Sequence, residues 1–379
     1  MKIIFHIDLN AFYASAEVLR HPEYIGKPLV VAGNSKRGII TTASYEARKY
    51  GIHSAMPLFK AKELCKNLII VPPDFTYYRE ISNKFFAIIA TYSTALEVAS
   101  IDECYVDMSN AIKDYTKIIE VAKQIQATVK DSLGISCSIG ISPNKFLSKM
   151  ASDLKKPNGI TMITKKNIAT TLWVLPIGKM HGIGKKTAPK FIAMGIETIG
   201  DLAKYENYDI ACSILGKNAL LFYYRANGVD PSNLNVDHNK LKSVGHSITL
   251  LEDTSDEEEI KEYIKDLSLR VSQRANNKNL LSKNISITLK YSRFESVVRS
   301  ISIEQFTNEY EIILSNAIAL FDKHFENRSI RLIGVSLNNT IERSEIKKQL
   351  SIFNYLENNK DETFDDLINS LHHVVGKEH

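Results

Sequence analysis

The sequence predicts a multidomain α+β fold. Three observations carry this. Strand-like apolar runs alternate with helical stretches over residues 1–165, residues 166–228 hold no convincing strand, and residues 243–341 return to strands. At roughly 100–200 residues per domain, 379 residues fit two to four domains. A chain that is 44% hydrophobic and 24% charged is not disordered or collagen-like. No window approaches ~18 consecutive apolar residues, so no transmembrane helix is expected. The apolar start is too short for a signal peptide and ends at Asp8, which predicts a cytoplasmic location. Cys65, Cys104, Cys137 and Cys212 match neither a zinc spacing nor a secreted disulfide framework, so reduced thiols are expected.

Taken in order, Lys2–Ile7 reads as a buried strand with Asp8 at its end. Ala11–Leu19 starts a helix. Residues 28–32 form a short strand closed by the Gly33-Asn34 turn signal, and Gly38–Thr42 a second. Ser44–Tyr50 is a helix ended by Gly51, and Tyr77–Tyr92 a longer helix. Residues 96–107 read as two strands around a tight turn. Tyr115–Leu133 is an amphipathic helix, followed by a strand over Ile135–Ile141. Together these give an α/β or α+β core.

Residues 166–228 read as a small helical domain with two glycine-centred turns, 181–185 and 215–217. Residues 229–242 are polar and suit a linker. Residues 243–341 read as strand, helix, strand, strand, helix, strand, with Ile285–Tyr291 and Ile330–Leu337 the clearest strands. From Glu342 onward the chain is polar.

The net charge is only +5, but the charge is unevenly spread. Residues 141–190 carry ten lysines against Asp153 alone. Residues 265–300 carry eight basic side chains against Asp266 and Glu295, and residues 252–262 are acidic. Basic stretches on a near-neutral chain point to a polyanion such as nucleic acid. The alternative is that lysine simply solubilises these faces.

Asp8 ends an apolar strand, and Asp102 and Glu103 stand side by side in a turn. Buried neighbouring carboxylates repel and lose solvation, so each needs a cation. Converging from two strands, they could hold two Mg²⁺ roughly 3.5–4 Å apart, the arrangement that activates a 3′-hydroxyl and stabilises a leaving pyrophosphate. The alternative has Asp8 capping a strand and Asp102-Glu103 forming a polar turn. Tyr45 and Arg48 share one helical face beside Thr42, and with the cations of the Lys155-Lys156-Pro157 turn they suit phosphate oxygens. Otherwise Arg48 pairs with an acid and Lys156 is solvated. Gly182 and Gly184, followed by Lys185, expose backbone N–H groups to one DNA phosphate without base readout. With the second glycine turn they look like tandem helix-hairpin-helix elements.

Together, residues 7–14 (IDLNAFYA), 42–51 (TASYEARKYG), 100–107 (SIDECYVD), 140–145 (GISPNK) and 153–159 (DLKKPNG) resemble the ordered motifs of the Y-family translesion DNA polymerases, most closely the DinB (DNA polymerase IV) branch. The resemblance runs from residue 1 to about 345. It implies a right hand with a palm (1–10 and 74–165), fingers (11–73), a helical thumb (166–228), a linker (229–242), a C-terminal little finger (243–341) and a tail (342–379).

It also implies site roles. Asp8, Asp102, Glu103 and the Leu9 carbonyl match the metal ligands, with two Mg²⁺ per site. Thr42, Tyr45, Arg48 and Lys156 match the triphosphate contacts. Tyr13 matches the steric gate against a ribose 2′-OH, and Phe12 the ring beside the incoming sugar, with core packing as the other reading of Phe12. Asn10 replaces a common Asp, and Cys104 a common Ala, as a buried filler. Asp107 reads as structural. Gln349, Leu350, Ile352 and Phe353 resemble the bacterial sliding-clamp peptide; otherwise three apolar residues would stand exposed on a tail.

The implied activity is DNA-directed DNA polymerase, a nucleotidyltransferase acting on primer–template DNA and dNTPs as a monomer. No separate acidic cluster remains for an exonuclease, so fidelity rests on active-site fit. Two rival readings differ in kind. A nucleotidyl cyclase would share the carboxylates but needs no glycine hairpins or clamp peptide. A non-enzymatic DNA-bound scaffold would tolerate loss of Asp8, Asp102 and Glu103.

Overall fold

The computed structural model describes residues 2–207, 212–213, 216–236 and 241–345. The chain divides into two compact units, residues 1–239 and 240–379.

The first unit is built on a five-stranded sheet. Its strands are β1 (Ile4–Leu9), β5 (Leu96–Val98), β6 (Glu103–Asp107), β7 (Cys137–Ser142) and β8 (Ile160–Met162), in the order β5-β6-β1-β7-β8. All neighbours are antiparallel except β7 and β8. β1 and β7 are buried at every position, because both faces of the sheet are covered. Helices α4 (Phe75–Ala90) and α5 (Ile118–Leu133) cover one face, sealing Phe5, Ile7, Phe85, Ile125 and Ile139. Helix α6 (Lys145–Leu154) lies on the other face, over His6 and Asp8.

Helix starts follow their caps. Asp74 accepts from Tyr77 N, so α4 begins two residues earlier than its apolar pattern indicates. Ser44 caps α2 (Tyr45–Arg48) instead of joining it. Ala11 takes a left-handed conformation (φ 45°), so α1 starts at Phe12 and runs to Arg20. β1 continues to Leu9, which places Asp8 inside the strand, paired with Glu103.

A small sheet, β3-β2-β4 (β2 Leu29–Ala32, β3 Ile40–Ala43, β4 Ile69–Val71), packs with α2 and α3 (Leu58–Leu64) around Val30, Ile40, Ala47 and Leu58. Residues 166–228 contain no strand among the described residues. Their short helices α7 (Ile168–Thr171), α8 (Ala188–Ile192), α9 (Ile199–Ala203) and α10 (Ala219–Ala226) share a core with Phe146, Leu147 and Met150 of α6.

The second unit follows the predicted order. β9 (Ser243–Thr254), α11 (Glu257–Asn277), β10 (Leu280–Tyr291), β11 (Ser296–Thr307), α12 (Tyr310–His324) and β12 (Ile330–Asn338) are joined by a short β13 (Ile341–Glu342). The sheet is antiparallel in the order β11-β10-β12-β9, with both helices on one face over Ile285, Ile287, Ile333 and Val335. Besides the short β13, the elements α3, β4, α6 and β8 are not apparent from the sequence pattern. Among the described residues no helix is long and apolar enough to cross a membrane. All four cysteines are free thiols.

Candidate active site

The β1–β6 register brings the three predicted carboxylates together. Asp8 lies opposite Glu103, and Leu9 N donates to Asp102 O at 2.9 Å. Side chains alternate along a strand, so His6 and Asp8 leave the same face of β1, toward α6. α6 comes close because β7 carries Gly140 there: a Cβ at that position would meet Ser148 O at 1.9 Å and Ser152 N at 2.3 Å. Asn144 caps the helix, accepting from Leu147 N at 2.9 Å.

This approach delivers two lysines to the carboxylates. Lys149 Nζ is 2.5 Å from Glu103 Oε2, 3.5 Å from Asp8 Oδ2 and 3.7 Å from Asp153 Oδ2. Lys156 Nζ is 2.8 Å from both Asp8 Oδ2 and Asp153 Oδ1. Below them, His6 Nε2 stands 3.3 Å from Glu103 Oε2, and His6 Nδ1 lies 2.8 Å from Ser152 Oγ. Sequence reasoning did not single out Lys149, His6 or Asp153 as site residues. The signals for them are modest: His6 sits two residues before Asp8, and Lys149 lies four residues from both Lys145 and Asp153.

The three acids differ electrostatically. Burial pushes the Asp8 carboxyl up to about 6, against the opposing pull of Lys156 and Lys149. Burial also raises Asp102, although Ser100 Oγ donates to it at 2.6 Å. Glu103 is desolvated too, but His6 and Lys149 outweigh that and hold it far below the usual carboxylate range. His6 is shifted the other way: its burial outweighs the Glu103 charge and lowers its pKa.

A cleft of about 240 Å³ opens beside these groups. It gathers Asp8, Leu9, Asp102, Phe12, Thr42, Tyr45, Arg48 and Lys156, together with Ala11, Thr41 and Ser54. Arg48 is aimed by its own backbone, with Nε donating to Ala43 O at 3.1 Å and the guanidinium lying 4.6 Å from the Tyr45 ring centre. The Tyr45 hydroxyl is buried and has no partner in hydrogen-bonding geometry among the described residues. Phe12 both lines the cleft and is 2% exposed, so its two readings meet in one position. Tyr13 and Glu103 are not in the lining. Tyr13 is half-buried beside it, stacked on Tyr78. A slightly larger recess of about 270 Å³ behind α1 shares Ala11 and Tyr45 with the cleft, but it contains Glu46 as its one carboxylate and cannot be the centre of this chemistry.

Asn10 is held in a polar network of its own. Its Nδ2 donates to Ser136 Oγ and Asn158 Oδ1, and its Oδ1 accepts from Ser138 Oγ, so a neutral amide fits its buried site. Cys104 is fully buried in the core. Asp107 accepts from Ser109 N at the end of β6, a structural contact.

Gly182, Gly184 and Lys185 form an exposed turn, with Ile183 anchored in the core between them. Gly182 has φ +94°, and a Cβ there would press on the Phe222 ring at 3.0 Å. The flanking elements are single turns, Ile177–Lys179 and Ala188–Ile192. Gly216 (φ +57°) opens the second glycine turn, and Leu215 lies outside the described residues. Gln349, Leu350, Ile352 and Phe353 also lie outside them.

Comparison with known proteins agrees along the chain. The impB/mucB/samB family model matches residues 7–153, its C-terminal domain model residues 241–352, and the IMS family HHH motif residues 165–196. DNA polymerase IV of Bacillus velezensis is 41% identical, covering 99% of this chain and 91% of the relative. DNA polymerase IV of Clostridium kluyveri is 42% identical, covering 94% and 89%. Among solved structures, a Y-family DNA polymerase chimera of Dbh and Dpo4 superposes with a TM-score of 0.81 at 30% identity, covering 90% of this chain and 99% of that one. The insertion ternary complex of Dbh DNA polymerase gives 0.65 at 30% identity and the same coverage. With paired carboxylates, a cleft that also holds Arg48 and Lys156, and these likenesses in hand, the chain belongs to the impB/mucB/samB family as a DNA-directed DNA polymerase of the Y-family, DNA polymerase IV (DinB) type.

Proposed function

We propose that the chain extends a primer 3′-OH by two-Mg²⁺ nucleotidyl transfer, without proofreading, and that the bacterial sliding clamp recruits it as a monomer. The carrying observation is the cleft itself, in which acidic and triphosphate-binding side chains share one cavity of about 240 Å³. The donor set fits Mg²⁺. Asp8, Asp102, Glu103 and the Leu9 carbonyl are hard oxygen ligands. Asp8, Glu103 and Asp153 face the two ammonium groups of Lys149 and Lys156, an excess of negative charge that a divalent cation beside Asp102 would offset. Bound Mg²⁺ would lower the pKa of the primer hydroxyl and neutralise the leaving pyrophosphate.

The protein's own groups do the rest. Arg48, the buried Tyr45 hydroxyl and Thr42 bind and orient the triphosphate from the finger side. Lys156 exchanges Asp8 for a phosphate oxygen as the nucleotide arrives. Tyr13 closes the space a 2′-OH would need, and Phe12 supports the sugar. The exposed Gly182–Lys185 turn takes one duplex phosphate, and the Ser- and Gly-lined outer face of the second sheet lets DNA approach closely. The domain boundaries inferred from the sequence remain our reading of the right hand: palm 1–10 and 74–165, fingers 11–73, thumb 166–228, linker 229–242 and little finger 243–341.

The test is mutational. Asp102→Ala and Glu103→Ala should each abolish extension while leaving primer–template affinity within a few-fold. Retention of more than about a tenth of wild-type turnover by either variant would refute the ligand assignment.

A further inference from the structure

Tyr13 rests on a second ring, and a buried carboxylate holds that ring. Tyr13 and Glu17 lie one turn apart on α1, so they leave the same helical face. Tyr78, from α4, meets both. Its ring stacks on Tyr13 with centroids 4.3 Å apart and planes 17° apart. Its hydroxyl donates to Glu17 Oε1 at 2.6 Å. Tyr78 is fully buried and Glu17 is 2% exposed, so water cannot replace that bond cheaply. Burial and the Glu17 bond both raise the Tyr78 phenol, which therefore stays a donor.

Further contacts set the register of the two helices. Arg20, at the end of α1, pairs with Asp74 at 2.9 Å, and its guanidinium lies 3.5 Å from the Tyr77 ring centre. Tyr77 Oη donates to Ala16 O at 3.3 Å. With the register pinned at the Arg20 end, the Glu17 bond determines where the Tyr78 ring sits under Tyr13. On the other side, Phe75 meets Tyr13 edge-on at 6.0 Å. A half-buried ring free to turn about χ1 would yield to a 2′-OH, whereas a clamped ring cannot.

We propose that Glu17 and Tyr78 are a positioning pair that immobilises the Tyr13 ring and so sets the preference for deoxyribonucleotides over ribonucleotides. This rests on the reading of Tyr13 as the gate. A purely packing role would lower stability and the use of both sugars together. A positioning role shifts their ratio.

The experiment measures kcat/KM for a dNTP and its matching rNTP on one primer–template, using the full chain. Glu17→Leu should raise the rNTP/dNTP ratio about tenfold, and Tyr78→Phe, which keeps the ring but loses the bond, several-fold. Glu17→Gln keeps an acceptor in place and should stay within about twofold of wild type. Tyr13→Ala should raise the ratio most, and adding Glu17→Leu to it should change nothing further. If Glu17→Leu fails to fold, Tyr78→Phe decides the matter. An unchanged ratio in Glu17→Leu and Tyr78→Phe, with a raised ratio in Tyr13→Ala, overturns the pair and leaves the gate standing. An equal Glu17→Leu effect with and without Tyr13 also overturns it. An unchanged ratio in Tyr13→Ala overturns both.

Discussion

Burial brings the charge of Asp8 close to its point of titration. Its carboxyl is pushed up to about 6 by burial, whereas that of its neighbour Glu103 is held far below the usual range by His6 and Lys149, despite its own burial. A raised carboxyl pKa means that a proton occupies the group up to a higher pH. Metal binding needs the ionised form, so affinity is lost as pH falls through the raised value. The Mg²⁺ concentration for half-maximal extension should therefore be flat above about pH 7 and rise about tenfold per pH unit below 6. A Mg²⁺ requirement that stays constant down to about pH 5 would show that Asp8 is not the titrating ligand. The residues of this site are legible in the sequence where a short local pattern carries them. Asp102-Glu103, Thr42 to Arg48 and the Lys156 turn are contiguous stretches, and the structure puts Asp102, Thr42, Tyr45, Arg48 and Lys156 from them in one cleft. Lys149 and His6 are not legible, because their roles depend on which side of the sheet α6 occupies. That choice is made by tertiary packing.

Gly140 makes that packing possible at the level of elements. β7 and α6 are in backbone contact there, and α6 carries Lys149, Ser152 and Asp153. Gly140→Ala must push the helix away, since the new Cβ would overlap two backbone atoms of α6. The expected cost is about 1–3 kcal/mol of stability. Extension should fall further than stability alone accounts for, because Lys149 and Ser152 retreat from Glu103 and His6. Chemical denaturation and single-turnover extension of the same variant measure the two effects. A variant with wild-type stability and rate would show that the contact is looser than the backbone positions imply. Elements with strong periodicity and a clear stop are legible, including α5 with Gly134 at its end and the strand–helix order of the second unit. α3, β4 and β8 escape a sequence reading because runs of three to seven residues carry too little pattern. α6 escapes it because its apolar positions serve two neighbours: Phe146, Leu147 and Met150 face the helical core while Lys149 and Ser152 face the sheet.

For the whole molecule, the structure revises what the charge pattern means. The lysine-rich stretch 141–190 is not all available to a polyanion. Lys145 turns inward to Glu97 at 2.7 Å, and Lys149 and Lys156 turn to Glu103 and Asp8. Lys185, Lys186 and Lys190 remain exposed around the glycine turn. Fewer free cations imply weaker phosphate binding than the raw count indicates, so an added tether contributes more to processive synthesis. The proposed clamp peptide of the tail would supply one. Leu350, Ile352 and Phe353 are three apolar anchors within four residues, with Gln349 as a hydrogen-bonding end and polar residues on both sides. Such a peptide would dock in a hydrophobic clamp pocket, with the aromatic residue expected to be its hot spot. The competing reading is that the same residues pack onto their own protein. Leu350→Ala combined with Phe353→Ala separates the two. A clamp peptide predicts unchanged melting temperature and clamp-free extension, with clamp binding and clamp-stimulated processivity lost. A lowered melting temperature with clamp binding intact would assign these residues to the protein's own packing instead.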